Sequence, residues 1–124
     1  MNEEEFLKKL LETFKLEAAE HLEAMSSGLL ALEKEPPPDE QATLIETVFR
    51  EAHSLKGAAR AVNLPEIESV CQAMESVFNA AKRGDLSLPP SAFDTLYGAL
   101  DTIQQLLALP PGAPPPDIAP LLDA

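Results

Sequence analysis

Along the first quarter of the chain, Leu7, Leu11, Phe14, Ala18, Leu22, Met25, Leu29 and Leu32 follow one another at intervals of three and four. That spacing predicts an amphipathic helix from Asn2 to about Lys34 with one stripe turned toward a core. Glu3, Glu4, Glu5, Glu12, Glu17, Glu20 and Glu23 cover its other faces, and the acidic start suits the positive end of the helix dipole. Pro36-Pro37-Pro38 ends this helix, and Asp39 is placed to cap the next. There Ile45, Val48, Phe49, Ala52, Leu55, Ala59 and Val62 form a second stripe, so the second helix is predicted to run to about Val62.

Asn63-Leu64-Pro65-Glu66 then makes a tight reversal, with Asn63 and Glu66 spaced like a capping box and Pro65 early in the third helix. Leu64, Ile67, Val70, Cys71, Met74, Val77, Phe78 and Ala81 form the third stripe, which closes at Arg83-Gly84. Asp85 to Leu88 reads as a loop, and Pro89-Pro90 opens a fourth helix with Phe93, Leu96, Tyr97, Leu100, Ile103 and Leu107 inside. Tyr97 is expected at the core edge with its hydroxyl reaching water. Four amphipathic helices with short connections predict an all-α, antiparallel four-helix bundle over residues 1–109. Six prolines between Pro110 and Pro120 make residues 110–124 a Pro-rich linker of extended character, expected to lead toward a following domain. Ile118, Leu121 and Leu122 are spaced for a short extra C-terminal helical turn.

Composition narrows the functions open to such a bundle. With 124 residues and 45% hydrophobic content there is one small core. A net charge of −12 tells against nucleic acid, whose phosphates need clustered cations. A single cysteine, Cys71, rules out an internal disulfide; its place on an apolar stripe makes it a core thiol, and no CxxC or His/Cys cluster predicts a metal site. Neither a charged-then-apolar leader nor an apolar run of about 18 residues is present, so neither export nor membrane insertion is expected and a cytoplasmic location follows.

Against this acidic background the run Phe49-Arg50-Glu51-Ala52-His53-Ser54-Leu55-Lys56-Gly57-Ala58-Ala59-Arg60 stands apart. His53 lies off the apolar stripe, roughly 120° from its centre at about 100° per residue, in a flank shared with Arg50, Lys56, Gly57 and Arg60. An exposed imidazole titrates near neutrality, so its unprotonated nitrogen is available as a nucleophile. Lys56, one turn on, is placed to neutralise an added phosphoryl charge, and Gly57 leaves bare backbone where a partner's active site can approach. On the third helix Glu75 is displaced from its stripe in the same rotational sense as His53. In an antiparallel pair such flanks face one another across the seam. His53 is ten residues before Asn63 and Glu75 twelve after it, so at about 1.5 Å per residue their levels differ by about 3 Å. A carboxylate is therefore expected beside the imidazole. By accepting from Nδ1–H it would fix the tautomer and leave Nε2 free.

The His-Ser-Leu-Lys-Gly-Ala-Ala run resembles the signature of histidine phosphotransfer (HPt) domains, and most of all those at the N-terminus of CheA-type chemotaxis kinases. The resemblance covers roughly residues 5 to 108. It implies that His53 accepts phosphate from a kinase ATP-binding domain and passes it to an aspartate on a response regulator receiver domain. It further implies that Lys56 assists and that Glu75 orients the ring. Gln72 stands where such domains often carry a second histidine, which makes it a possible outer member of the same network. Arg50, Gly57 and Arg60 are expected to meet the partners. No Walker glycine loop and no Mg²⁺-holding acidic motif are found, so the segment by itself is expected to be no enzyme: ATP and Mg²⁺ would belong to the partner domains. A Pro-rich end suits the opening domain of a multidomain kinase, and a free-standing phosphotransfer protein with a tail fits as well.

Two other readings compete. A non-catalytic helical docking module would use the His53 surface without ever carrying phosphate, although docking alone does not require His, Lys, Gly and a level-matched Glu together. A hydrolase or metalloenzyme is weaker still. His21 lies among Glu17 and Glu20 with no second imidazole one turn away, and is expected to be a solvated surface residue.

Overall fold

A computed structural model of the chain describes residues 2–83 and 90–108. Within them the chain folds into helices α1 (Glu3–Glu33), α2 (Pro38–Ala61), α3 (Pro65–Lys82) and α4 (Pro90–Ala108), with no strand among the described residues. The predicted Gly84 terminus, the 85–88 loop, the 110–124 linker and the turn at Ile118, Leu121 and Leu122 lie outside the described residues.

Each helix end has a local cause. Asn2 caps α1 by accepting the Glu5 N–H at 2.8 Å. At the start of α2, Pro37 is the cap residue and Pro38 the first helical one, so Asp39 lies inside the first turn and does not cap it. Proline suits that first position because its missing N–H has no helical partner there anyway. The expected capping box at Asn63 is also absent: Leu64 caps α3 without a side-chain bond. Asn63 instead adopts φ 59° and closes α2. Its N–H bonds to the Arg60 carbonyl at 3.1 Å and that of Leu64 to Ala59 at 2.9 Å, the paired bonds of a Schellman turn. Asparagine tolerates this left-handed backbone better than any other non-glycine residue available there.

The four stripes meet in one core. Met25, Leu29, Val48, Leu55, Ile67, Val70, Cys71, Phe78 and Ile103 are fully enclosed, one or more from every helix, and burial of each large apolar side chain stabilises by roughly 1.5–3 kcal/mol. Helix α2 sits centrally, packed extensively on α1 and α3, while α4 closes the bundle with sparser contact to both. At Gly28 α1 comes close to α2: a Cβ there would lie 2.5 Å from Val48 Cγ1. Burial pushes the Cys71 thiol up to about 12, helped by the neighbouring Glu75 charge, which fits an inert core cysteine.

Two expectations fail at the margins. Leu7 and Leu11 continue the α1 stripe but are exposed along with Phe6 and Leu10, and the first buried residue is Phe14. The 31 residues of α1 extend about 46 Å against about 36 Å for the 24 of α2, so the N-terminal turns of α1 overhang the bundle. The Tyr97 hydroxyl, expected in water, is buried; burial and the Glu33 carboxylate nearby push its pKa up to about 12. No described helix is long and apolar enough to cross a membrane.

Candidate functional site

The α2–α3 seam carries a ladder of polar pairs along one side. Glu46 meets Lys82, His53 meets Glu75, Lys56 meets Gln72 and Arg60 meets Glu68. The two members of each pair stand equally far from Leu64 in sequence, at eighteen, eleven, eight and four residues respectively. The Schellman turn therefore pivots the two helices about Leu64, and every rung lies at one level. Measured from that pivot, the 3 Å offset expected between His53 and Glu75 disappears.

His53 is the exposed member of its rung. Its side chain is 65% exposed, whereas that of Glu75 is 8% exposed, and Nδ1 lies 2.8 Å from Glu75 Oε1. The other carboxylate oxygen, Oε2, meets the Lys56 ammonium at 2.5 Å, and the same ammonium donates to Gln72 Oε1 at 3.0 Å. Burial works to raise the Glu75 pKa, but the bonds from Lys56 and His53 outweigh it and hold the carboxyl below its ordinary range. An ionised carboxylate only accepts, so Nδ1 carries the proton and donates it. In the neutral imidazole the lone pair then resides on Nε2.

The site thus brings together His53, Glu75, Lys56 and Gln72. Arg50 and Arg60 remain on the same flank but are strongly exposed, with Nε of Arg50 donating to Glu46 Oε1 at 2.8 Å and Arg60 3.9 Å from Glu68. Gly57, one turn beyond His53, is exposed, and nothing stands within 4 Å of where a Cβ would be. Lys56 is half-buried and occupied by Glu75 and Gln72, whereas the sequence placed it only toward phosphate.

Three features escaped the sequence. Phe49, taken as part of the core stripe, lies only partly in the core and stacks with the His53 ring. Lys82 and Glu46 complete that end of the ladder, and the same level-matching that found Glu75 would have paired them. His21 is not a solvated surface residue: it is half-buried, with Nδ1 2.5 Å from Glu51 Oε2 on α2. No group of three or more residues able to hold a metal ion occurs among the described residues.

The bundle presents an exposed, carboxylate-tethered imidazole beside a lysine, and the chain belongs to the Hpt domain family, whose model matches residues 9–108. Within that family it is homologous to CheA phosphotransfer domains. It is 32% identical over 101 residues to the sensor histidine kinase CheAY of Helicobacter pylori and 30% identical over 101 residues to the chemotaxis protein CheA of Bacillus subtilis. These alignments cover 82% of this chain but 12% and 15% of the respective relatives, so the chain spans only a small part of their length. Its fold is similar to the CheA phosphotransferase domain from Thermotoga maritima, with a TM-score of 0.71 and 25% identity over 86% of this chain and 95% of that one.

Proposed function

We propose that His53 is the phosphoacceptor of a chemotaxis-type phosphorelay, taking a phosphoryl group from a kinase ATP-binding domain and passing it to an aspartate of a response regulator. The observation that carries this is the exposed imidazole whose Nδ1–H is tied to a buried, lysine-backed carboxylate. The Nε2 lone pair attacks the γ-phosphorus of ATP, an N–P bond forms, and the P–O bond to ADP breaks. Nδ1 keeps its proton, so the ring becomes a cation. Glu75 stabilises that cation at 2.8 Å, and no proton has to leave. In the second transfer the receiver aspartate attacks phosphorus, the N–P bond breaks, and its electron pair returns to Nε2.

Lys56 has two tasks in this reading. Before transfer it keeps Glu75 ionised; after transfer its ammonium, one turn from the ring, screens phosphoryl oxygens. Gln72 holds the ammonium between those positions. Arg50, Gly57 and Arg60 form the approach for the partner domains. Those domains supply nucleotide and Mg²⁺, so this segment serves as acceptor and not as a complete enzyme, in the cytoplasm where ATP is available.

Incubation with a matching kinase core and radiolabelled ATP tests the proposal. Acid-labile, base-stable label that disappears in His53→Gln supports it. Binding of the kinase core without any such label would instead identify a non-catalytic docking module.

A further inference from the structure

A hydrogen bond at Nδ1 fixes one edge of the His53 ring but leaves rotation about the Cβ–Cγ bond soft, because that torsion is broad in histidine. The second constraint comes from the preceding turn. Helical side chains lean toward the N-terminus, so the His53 ring leans over Phe49, four residues earlier. The two rings are parallel to within 6° with centroids 6.4 Å apart, in the range of an offset stack. Phe49 is itself held by a cation over its ring. The Lys82 ammonium stands 5.3 Å from the Phe49 ring centroid, within cation–π range, and is anchored 2.6 Å from Glu46 Oε2. Glu46 in turn accepts from Arg50 Nε at 2.8 Å. Val48, Ala52 and Leu55 already fill the core side of this part of α2, and Phe49 lies only partly within the core.

We infer that Phe49 is a positioning residue for the phosphoacceptor. Stacked on His53 and braced by Lys82 and Glu46, it sets the plane of the imidazole so that Nδ1 stays on Glu75 and Nε2 stays aimed outward. Glu75 fixes which nitrogen points inward; Phe49 fixes the angle at which the other one points outward. Its kinetic consequence rests on the phosphotransfer reading, whereas its effect on the ring does not.

The experiment compares Phe49→Leu, Phe49→Met and Phe49→Tyr with the wild-type chain by nitrogen-15 NMR of the His53 ring, followed by phosphorylation with the small donor phosphoramidate and with a matching kinase core. In the Leu and Met variants the two ring nitrogens are expected to move toward the averaged shifts of free imidazole. The phosphorylation rate should fall about 2- to 10-fold through kcat with KM unchanged, and Tyr should restore both. Lys82→Met should move the ring shifts in the same direction by less. Met keeps the packed volume if Leu loosens the fold, and circular dichroism identifies which variants are folded. Wild-type ring shifts and rates in a folded Leu or Met variant would overturn the inference. Should wild-type His53 take no phosphate from either donor while the ring shifts respond as expected, the phosphotransfer reading fails and the positioning role stands.

Discussion

The molecule contains two imidazole–carboxylate pairs, and only one is built as a site. His53–Glu75 joins α2 to α3 and His21–Glu51 joins α1 to α2, each through Nδ1, at 2.8 Å and 2.5 Å. In the first the burden is divided unevenly, with the ring outside and the carboxylate inside. In the second both are alike, at 25% and 29% exposure. Glu75 is backed by Lys56, and through it by Gln72, while Phe49 lies along the His53 ring; Glu51 has no lysine or arginine partner among the described residues. A histidine held by a glutamate can thus join two helices with its ring half-buried or with its ring open to solvent. What separates the two pairs is the open ring of His53 and the lysine behind Glu75.

The largest effect that sharpens this contrast is the loss of the ring itself. His53→Gln should abolish phosphate incorporation, a drop of more than about 100-fold in labelled protein, because an amide is no nucleophile toward phosphorus at neutral pH. His21→Gln should stay within about 2-fold of wild type. Comparable loss in both variants would erase the distinction between the pairs.

Next in size is the carboxylate. Glu75→Gln replaces the carboxylate that orients the ring and stabilises its cation by a neutral amide, and the transfer rate should fall about 10- to 100-fold, while Glu51→Gln leaves it unchanged. The same residue predicts a pH dependence of stability. The folded pKa of Glu75 lies below its ordinary 4.5, so the ionised form stabilises the fold above that pH. This contribution is lost as pH falls from 4.5 through the depressed folded value. In thermal unfolding followed from neutral to acid pH, the advantage of wild type over Glu75→Gln should therefore shrink below about pH 4.5. Lys56→Met comes third. It leaves a buried carboxylate oxygen without its cation, so the protein should lose about 1–3 kcal/mol by denaturant titration, and the part of the low-pH loss that comes from Glu75 should shrink, because its folded pKa moves back up toward the ordinary 4.5 at which the loss begins.

The two pairs also differ in how far they could be read from the residues. His53 and Glu75 were legible because a two- to three-residue turn fixes the register of its helices, and helical wheels then convert sequence distance into level and flank. The pivot differs: Asn63, expected to cap α3, uses its left-handed backbone to end α2 and moves the centre of the hairpin to Leu64. The α1–α2 connection gives no such help. Glu35 also turns left-handed, at φ 53°, ahead of three prolines, and no local rule sets where α1 then lies along α2. The spacing around His21 accordingly points to Glu17 and Glu20 of its own helix and not to Glu51. The exposed Leu7 and Leu11 have the same origin, since the stripe records which face is apolar and not how much of it the neighbouring helices are long enough to cover. Phe49 was hidden differently. Its spacing fits the core stripe, and only in the folded chain does its ring lie along His53.

A smaller change tests what the second pair is for. If His21–Glu51 clamps helices, His21→Gln should lower stability by about 1 kcal/mol, the worth of one partly buried hydrogen bond, with phosphate incorporation intact. A displacement of that size moves the thermal midpoint of a domain this long by a few degrees, roughly 3–6 °C. An unchanged midpoint would mean the pair contributes no more than an ordinary surface contact.

The smallest effect on the fold isolates the face that partners must reach. Gly57 has open space where a Cβ would go, so Gly57→Ala in mid-helix should be sterically free and should raise stability by up to about 1 kcal/mol through helix propensity. Phosphorylation by phosphoramidate should be unaffected, because a small donor needs only Nε2. Phosphorylation by a kinase core should slow through KM, because the added methyl lies on the surface one turn from His53 where the larger active site has to settle. If both donors respond alike, Gly57 acts through the ring or the helix and not through docking. If neither responds, the bare backbone beside His53 has no part in recognition, and the approach is left to Arg50 and Arg60, whose strongly exposed side chains present their charge to an incoming domain.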